Sequence, residues 1–162
     1  MKVLLATLAF VALPLQFAHA ADKDEAKGDK IEYQVHNGYF ESNKSGLKGD
    51  TSFLAFTNTA SFDKVFGTAV VMGKKNNFLP KDAFDTKVVF ATIKRGNKVW
   101  EYKVEKVTAE KDTVYIQYTA SAKDGGTATF ASPLIVSVDK GKYTSVVFIE
   151  DGKKVGTAEI GK

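Results

Sequence analysis

The chain has 162 residues, no cysteine, and 23 basic against 19 acidic side chains, a net charge of +4. Without cysteine there is no disulfide framework and no thiolate metal centre, so the fold rests on its apolar core. The lysines are spread along the chain rather than gathered into the basic stripe of a nucleic-acid-binding surface, which argues against nucleic acid as a partner.

The first twenty residues, MKVLLATLAFVALPLQFAHA, combine Lys2, an apolar run and Ala18-His19-Ala20. This pattern predicts a secretory signal peptide over 1–20, cleaved after Ala20, and export to the periplasm or the extracellular space. The uncharged run is shorter than the ~20 residues that span a bilayer and is interrupted by Pro14, so no integral membrane span is expected after cleavage. Residues 21–30, ADKDEAKGDK, hold almost nothing to bury and read as a flexible polar tail. Residues 31–162 then read as a single β-rich domain.

Ile31, Tyr33 and Val35 alternate with Glu32, Gln34 and His36, which predicts a half-buried strand over 31–40 with His36 exposed near its end. SFLAFT, 52–57, reads as a buried strand. NTASFDKVFG follows, with Asn58 or Thr59 as cap, Phe62 and Phe66 on one face beside Val65, and Gly67 as stop. It predicts the one short helix, over residues 59–66. Thr68 to Phe78 begins as a possible strand and ends in a polar loop, and Pro80 opens a single helical turn.

Strands are then predicted over 87–94, 98–108, 113–122, 127–138 and 143–150, with a short partner over 154–160. Arg95-Gly96-Asn97, Glu110-Lys111-Asp112, Lys123 to Gly126, Lys140-Gly141-Lys142 and Asp151-Gly152 supply the turns, which together suggest antiparallel meanders. Pro133 cannot donate to a ladder, so a break or bulge is expected near it. The fold class is mainly β: a small antiparallel β-sandwich or partly open barrel, with the 59–66 helix packed on it.

The sole arginine and the sole tryptophan lie close together in IKRGNKVWEY. Read as a hairpin, this stretch puts Arg95 at an exposed tip, where truncation costs within about 0.5 kcal/mol. Trp100 then faces the core, where truncation costs ~3 to 5 kcal/mol.

Little in the chain carries reaction chemistry. After signal removal His36 is the only histidine, and no G-x-S-x-G elbow accompanies it. One histidine cannot build a zinc site, and the acidic string Asp22 to Glu25 lacks calcium-loop spacing. Among carboxylates, Glu101 and Glu105 share a strand as a solvated charge stripe, and Asp82 and Asp85 flank a helical turn. No metal, no cofactor and no catalytic residue is expected, and no binding residue stands out. Trp100, Tyr102 and Val104 on one strand, and Val114, Ile116 and Tyr118 on the next, read as one wall of the core.

TASFDKVFG, FDTKVVFATIKRG, YKVEKVTAEKDTVYIQYTA and FASPLIVSVDKGKYTSVVFIEDG follow one another in an order that resembles the PrcB-type exported β-domain, a family associated with bacterial protease complexes. The resemblance covers about residues 51–151. The family's Gly-Gly-Tyr element is replaced here by Gly96-Asn97-Lys98-Val99-Trp100-Glu101-Tyr102, so its partner preference does not carry over. What the resemblance implies is an all-β binding or accessory module.

The expectation is therefore an exported, non-catalytic domain that binds another exported protein or peptide through a sheet edge or its loops. The alternative is a carrier of a small apolar ligand in a barrel interior. A hydrolase with an unrecognised carboxylate or serine site comes third.

Overall fold

A computed structural model describes residues 24–69 and 75–161. The predicted signal peptide over 1–20 and the middle of the 68–78 stretch lie outside them. In chain order the elements are β1 (Asp29–Lys30), β2 (Tyr33–His36), β3 (Tyr39–Glu41), β4 (Thr51–Phe56), α1 (Thr59–Val65), β5 (Phe66–Thr68), α2 (Ala83–Thr86), β6 (Lys87–Gly96), β7 (Lys98–Glu110), β8 (Thr113–Asp124), β9 (Phe130–Asp139), β10 (Ser145–Glu150) and β11 (Lys153–Glu159).

Two sheets face each other as a β-sandwich. One has five strands in the order β1-β7-β8-β10-β11, the other four in the order β2-β9-β6-β4. Alternation along the strands sends one set of side chains between them: Val88 and Phe90 of β6, Ile116 and Tyr118 of β8, Leu134 and Val136 of β9, Val146 and Phe148 of β10. The opposite phase of the four-stranded sheet is also apolar. Val89, Ala91 and Ile93 of β6 and Ile135 of β9 pack beneath Phe62, Val65 and Phe66. Burial on both faces explains why Val88 to Ile93 reads as an unbroken buried run rather than an alternating one.

The third layer is built by α1 and the small β3-β5 sheet. Asn58 caps α1, its Oδ1 accepting the Ser61 amide hydrogen at 2.9 Å. Gly67 does not end the helix in a left-handed turn, because Phe66 has already passed to extended backbone at φ −117°. Its role is close approach: a Cβ there would lie 2.6 Å from the Phe40 ring.

The turn residues fall where expected, but only two of the turns make hairpins. Lys111-Asp112 joins β7 to its antiparallel neighbour β8, and Asp151-Gly152, with φ of 50° and 75°, joins β10 to β11. The other three carry the chain from one sheet to the facing one. Arg95 to Lys98 is therefore a corner rather than a hairpin turn. Because β9 lies in the opposite sheet from β8 and β10, those two strands run parallel, correcting the expectation of antiparallel meanders throughout. Turn chemistry reverses the chain, but the buried face of the returning strand decides which sheet it joins.

Pro133 causes no break. β9 stays in register with β6 from Phe130 to Asp139, with Pro133 opposite Ile93. β2 covers the other edge of β9 only as far as Ile135, so the missing N–H falls where no partner strand requires it.

Residues 24–30, expected to be a flexible tail, are instead a strap across the outer face of the five-stranded sheet. The Asp24 amide donates to Gly152 O at 2.8 Å and its carboxylate accepts from the Lys154 amide at 2.8 Å. Lys27 O accepts from the Thr108 hydroxyl, and Gly28 passes so near β7 that a Cβ would lie 2.0 Å from Ala109 O. β1 then pairs with Thr108 and Ala109. Composition hid this because the strap is held by backbone groups, with only Ala26 buried. One segment thus edges both sheets, β1 on one and β2 on the other.

Candidate functional site

The sandwich has two sides along which its sheets meet. On one, Phe53 of β4 lies over Gly156 of β11, where a Cβ would be 2.2 Å from the ring, and stacks 5.1 Å from Phe148. That side is closed. On the other, the segment from β1 to β2 bridges the sheets, with the Ile31 amide donating to Val107 O at 3.1 Å. The bridge ends at His36, where Gly38 at φ +83° turns the chain away into β3. The strand predicted over 31–40 is therefore two strands in two sheets. Beyond its end lies a groove of about 650 Å³ floored by β9 from Phe130 to Pro133. Asn37 to Tyr39 with Lys75 and Asn76 form one wall, and Val99 with Trp100 the other.

Trp100 is not the fully buried core residue that a regular hairpin implies. Its amide donates to Ser132 Oγ at 3.1 Å, tying β7 to β9 across the corner, and the residue is half-buried beside the groove. The ammonium of Lys94 sits 3.8 Å from the ring centroid and is ion-paired with Glu150. Behind that pair, the Tyr118 hydroxyl and Thr92 Oγ1 are buried without a well-formed hydrogen bond, as is Glu150 Oε2. Burial first, and then the Glu150 carboxylate, push the Tyr118 and Tyr102 hydroxyls far above the ordinary tyrosine range, so both stay protonated. Tyr102 donates to Ser132 O at 2.9 Å. Trp100 is thus backed by a largely buried lysine that is itself ion-paired.

His36, expected to be exposed, is 4% exposed. Its Nδ1 lies 3.3 Å from Asn77 O, which can only accept, so Nδ1 carries the proton and Nε2 accepts from the Ser137 hydroxyl at 2.8 Å. Burial lowers its pKa, opposed by the Asn77 hydrogen bond and aided by Lys87. Ser137 is 1% exposed, so this pair holds the groove's end in place and offers no reachable nucleophile.

A second concavity of about 680 Å³ shares Phe130 and Ala131 with the first and is lined by Phe40, Glu41 and Arg95. Arg95 is no exposed tip. Its Nε and Nη2 donate to the two Glu41 oxygens at 2.7 and 2.9 Å, and Nη1 donates to Gly49 O and Ser52 Oγ, both at 3.0 Å. With its donors so engaged, the guanidinium pins the 42–50 loop and is not a free anion site.

The carboxylates considered from sequence do not assemble. Glu101 accepts from Lys123 at 2.6 Å and Glu105 from Gln117 at 2.9 Å on the solvent face, while Asp82 and Asp85 sit at α2. Among the described residues no three His, Asp or Glu side chains gather as a metal cluster, and no helix is long and apolar enough to cross a membrane. The groove itself escaped sequence reading, since it exists only where β2 stops short along β9. No family model matches the chain, and no curated protein or solved structure matches it at a significant level.

Proposed function

We propose that this protein is an exported, non-catalytic module that binds another polypeptide in the groove beside Trp100. One observation carries the reading: among the described residues the edge of β9 away from β6 has no partner strand from Phe130 to Leu134, and it lies inside a concavity whose aromatic wall is backed by the Lys94–Glu150 pair. A fixed aromatic surface loses little entropy on binding, and an uncovered strand edge offers backbone partners to a protein rather than to a metabolite. The order of elements over residues 51–151, similar to PrcB-type domains of protease complexes, fits an accessory role of this class. The space a carrier of an apolar ligand would use is filled between the sheets by Phe90, Ile116, Tyr118 and Phe148.

The test is capture from the exported fraction of the host with the chain from Ala21 as bait, run in parallel with Trp100→Ala and with a surface control, Lys142→Ala. A protein recovered by the parent and the control but lost with Trp100→Ala supports the reading. Equal recovery by all three baits, or recovery of nothing, overturns it.

A further inference from the structure

The vacant positions along β9 have a defined chemistry. Each strand residue directs its N–H and C=O to one side, alternating along the chain. Pro133 has no N–H, yet β9 keeps register with β6 through it, so the odd-numbered residues of β9 face away from β6 and toward the β2 edge. The geometry of β2 agrees. His36, opposite Ile135, bonds inward, whereas Val35 O and the Asn37 amide point outward and are taken by Asn77 at 2.7 and 3.1 Å. Past the end of β2 the groove therefore contains the Ala131 N–H, the Ala131 C=O and the Pro133 C=O. Among the described residues none of them has a backbone partner on that edge.

We infer that the groove takes an extended strand of a partner protein, which pairs antiparallel with Ala131 and Pro133 of β9 and seats one apolar side chain against Trp100 and Phe130. This rests on the groove being the binding site and adds the mode of binding. The argument for a strand is continuity, because the new segment would extend the ladder that β2 already makes with β9 from Ile135 to Val138. The side-chain preference follows from parity. A partner residue opposite Ser132 points to the inner side, where Trp100, Val99 and Phe130 lie, and one opposite Ala131 points to the Tyr39 side. A second copy of this chain is a poor occupant for the same reason that β9 is a safe edge: with Pro133 in both strands, two β9 edges would each lack a donor.

The pairing makes a specific demand. The partner residue opposite Ala131 gives and receives a hydrogen bond, and the one opposite Pro133 only donates. The residue between them turns its amide to solvent. The probes are acetylated, amidated peptides Thr-Val-Thr-X-Thr-Val-Thr with X as Phe, Leu, Lys or Asp, titrated to about 1 mM against the ¹⁵N-labelled chain from Ala21, a range that detects weak binding. Expected are shifts at the Ala131 amide and the Trp100 indole, with Phe and Leu bound more tightly than Lys or Asp. N-methylation of an amide facing β9 should weaken binding about tenfold or more, and methylation of the intervening amide should change it less than about twofold. Shifts in the groove that ignore the methylation pattern overturn strand pairing while leaving a groove-binding module in place. No shift at Ala131 with any peptide overturns the inference. If partner capture has also failed to depend on Trp100, the proposed function falls with it.

Discussion

Arg95→Ala separates the structural account from the linear one most sharply. The Arg95 and Glu41 side chains are 16% and 9% exposed and form a two-point ion pair. Two further bonds from Nη1 hold Gly49 and Ser52. Truncating the arginine leaves a carboxylate in a place built for its partner, and breaking a buried pair on one side costs ~3 to 5 kcal/mol. Since this pair keeps some access to water, the lower end applies, about 3 kcal/mol, or roughly a 10 °C loss in Tm for a domain of this size. The measurement is urea denaturation at pH 7 with Glu41→Gln and the double variant completing a cycle. The pH dependence is a second signature. Burial raises the Glu41 pKa, but hydrogen bonds from Arg95 and Ser45 and the guanidinium charge outweigh it and hold the carboxyl below its ordinary value. In the parent this contribution is complete above the ordinary carboxylate pKa of about 4.5 and is lost as pH falls through the lowered one. In Arg95→Ala burial is opposed only by the Ser45 hydrogen bond, so acid neutralises the stranded group more readily and the cost of the substitution shrinks toward pH 4. A loss below about 1 kcal/mol at pH 7, or one equal at pH 4 and pH 7, would refute the argument and restore Arg95 to an exposed turn.

Other outcomes follow from the same geometry. Trp100→Ala should cost about 1 to 2 kcal/mol by thermal denaturation, less than a full core truncation, because the residue is only half-buried and loses mainly the Lys94 contact and groove-wall packing; a loss above ~4 kcal/mol would place it in the core. Burial depresses the His36 pKa, so the unfolded chain takes up a proton below about pH 6.5 that the folded chain resists. Stability should be full above that pH and decline as it falls, until the folded imidazole itself titrates, and Tm of His36→Gln should be flatter between pH 7 and 5 than that of the parent. Gly28→Ala combines a φ of +86° with a backbone clash and should release the strap, seen as faster hydrogen exchange at the Ile31 amide with the sandwich core still protected. Unchanged exchange there would mean that the strap contributes nothing to the edge.

Every strand from 87 onward was legible, because alternation and turn residues are local signals and both recur here without interruption. Helix α1 was legible for the same reason, through Asn58 and the Phe62/Phe66 face. What escaped was decided by pairing across long separations. Pro133 could be placed only once the length of β2 was known, and Arg95 looked like a turn residue because its partner, Glu41, stands 54 positions away. His36 lay on the polar phase of its strand, and sequence could not show that the outer face of that sheet is covered by a third layer. The groove is legible only as a mismatch in length between two strands, a quantity no single segment carries.

The strap has a consequence for how the molecule comes into being. Asp24 is anchored to Gly152 and Lys154, so the first described residue is locked only by the last hairpin. A chain emerging from its N-terminus therefore cannot seal this edge until nearly all of it has been made, and β8 must likewise wait for β10 before its outer ladder is filled. Such a sequence of events favours slow, late closure dominated by distant pairings. It predicts that a chain cut before residue 151 keeps its N-terminal segment open to proteases, and that folding finishes after release from the ribosome rather than during synthesis.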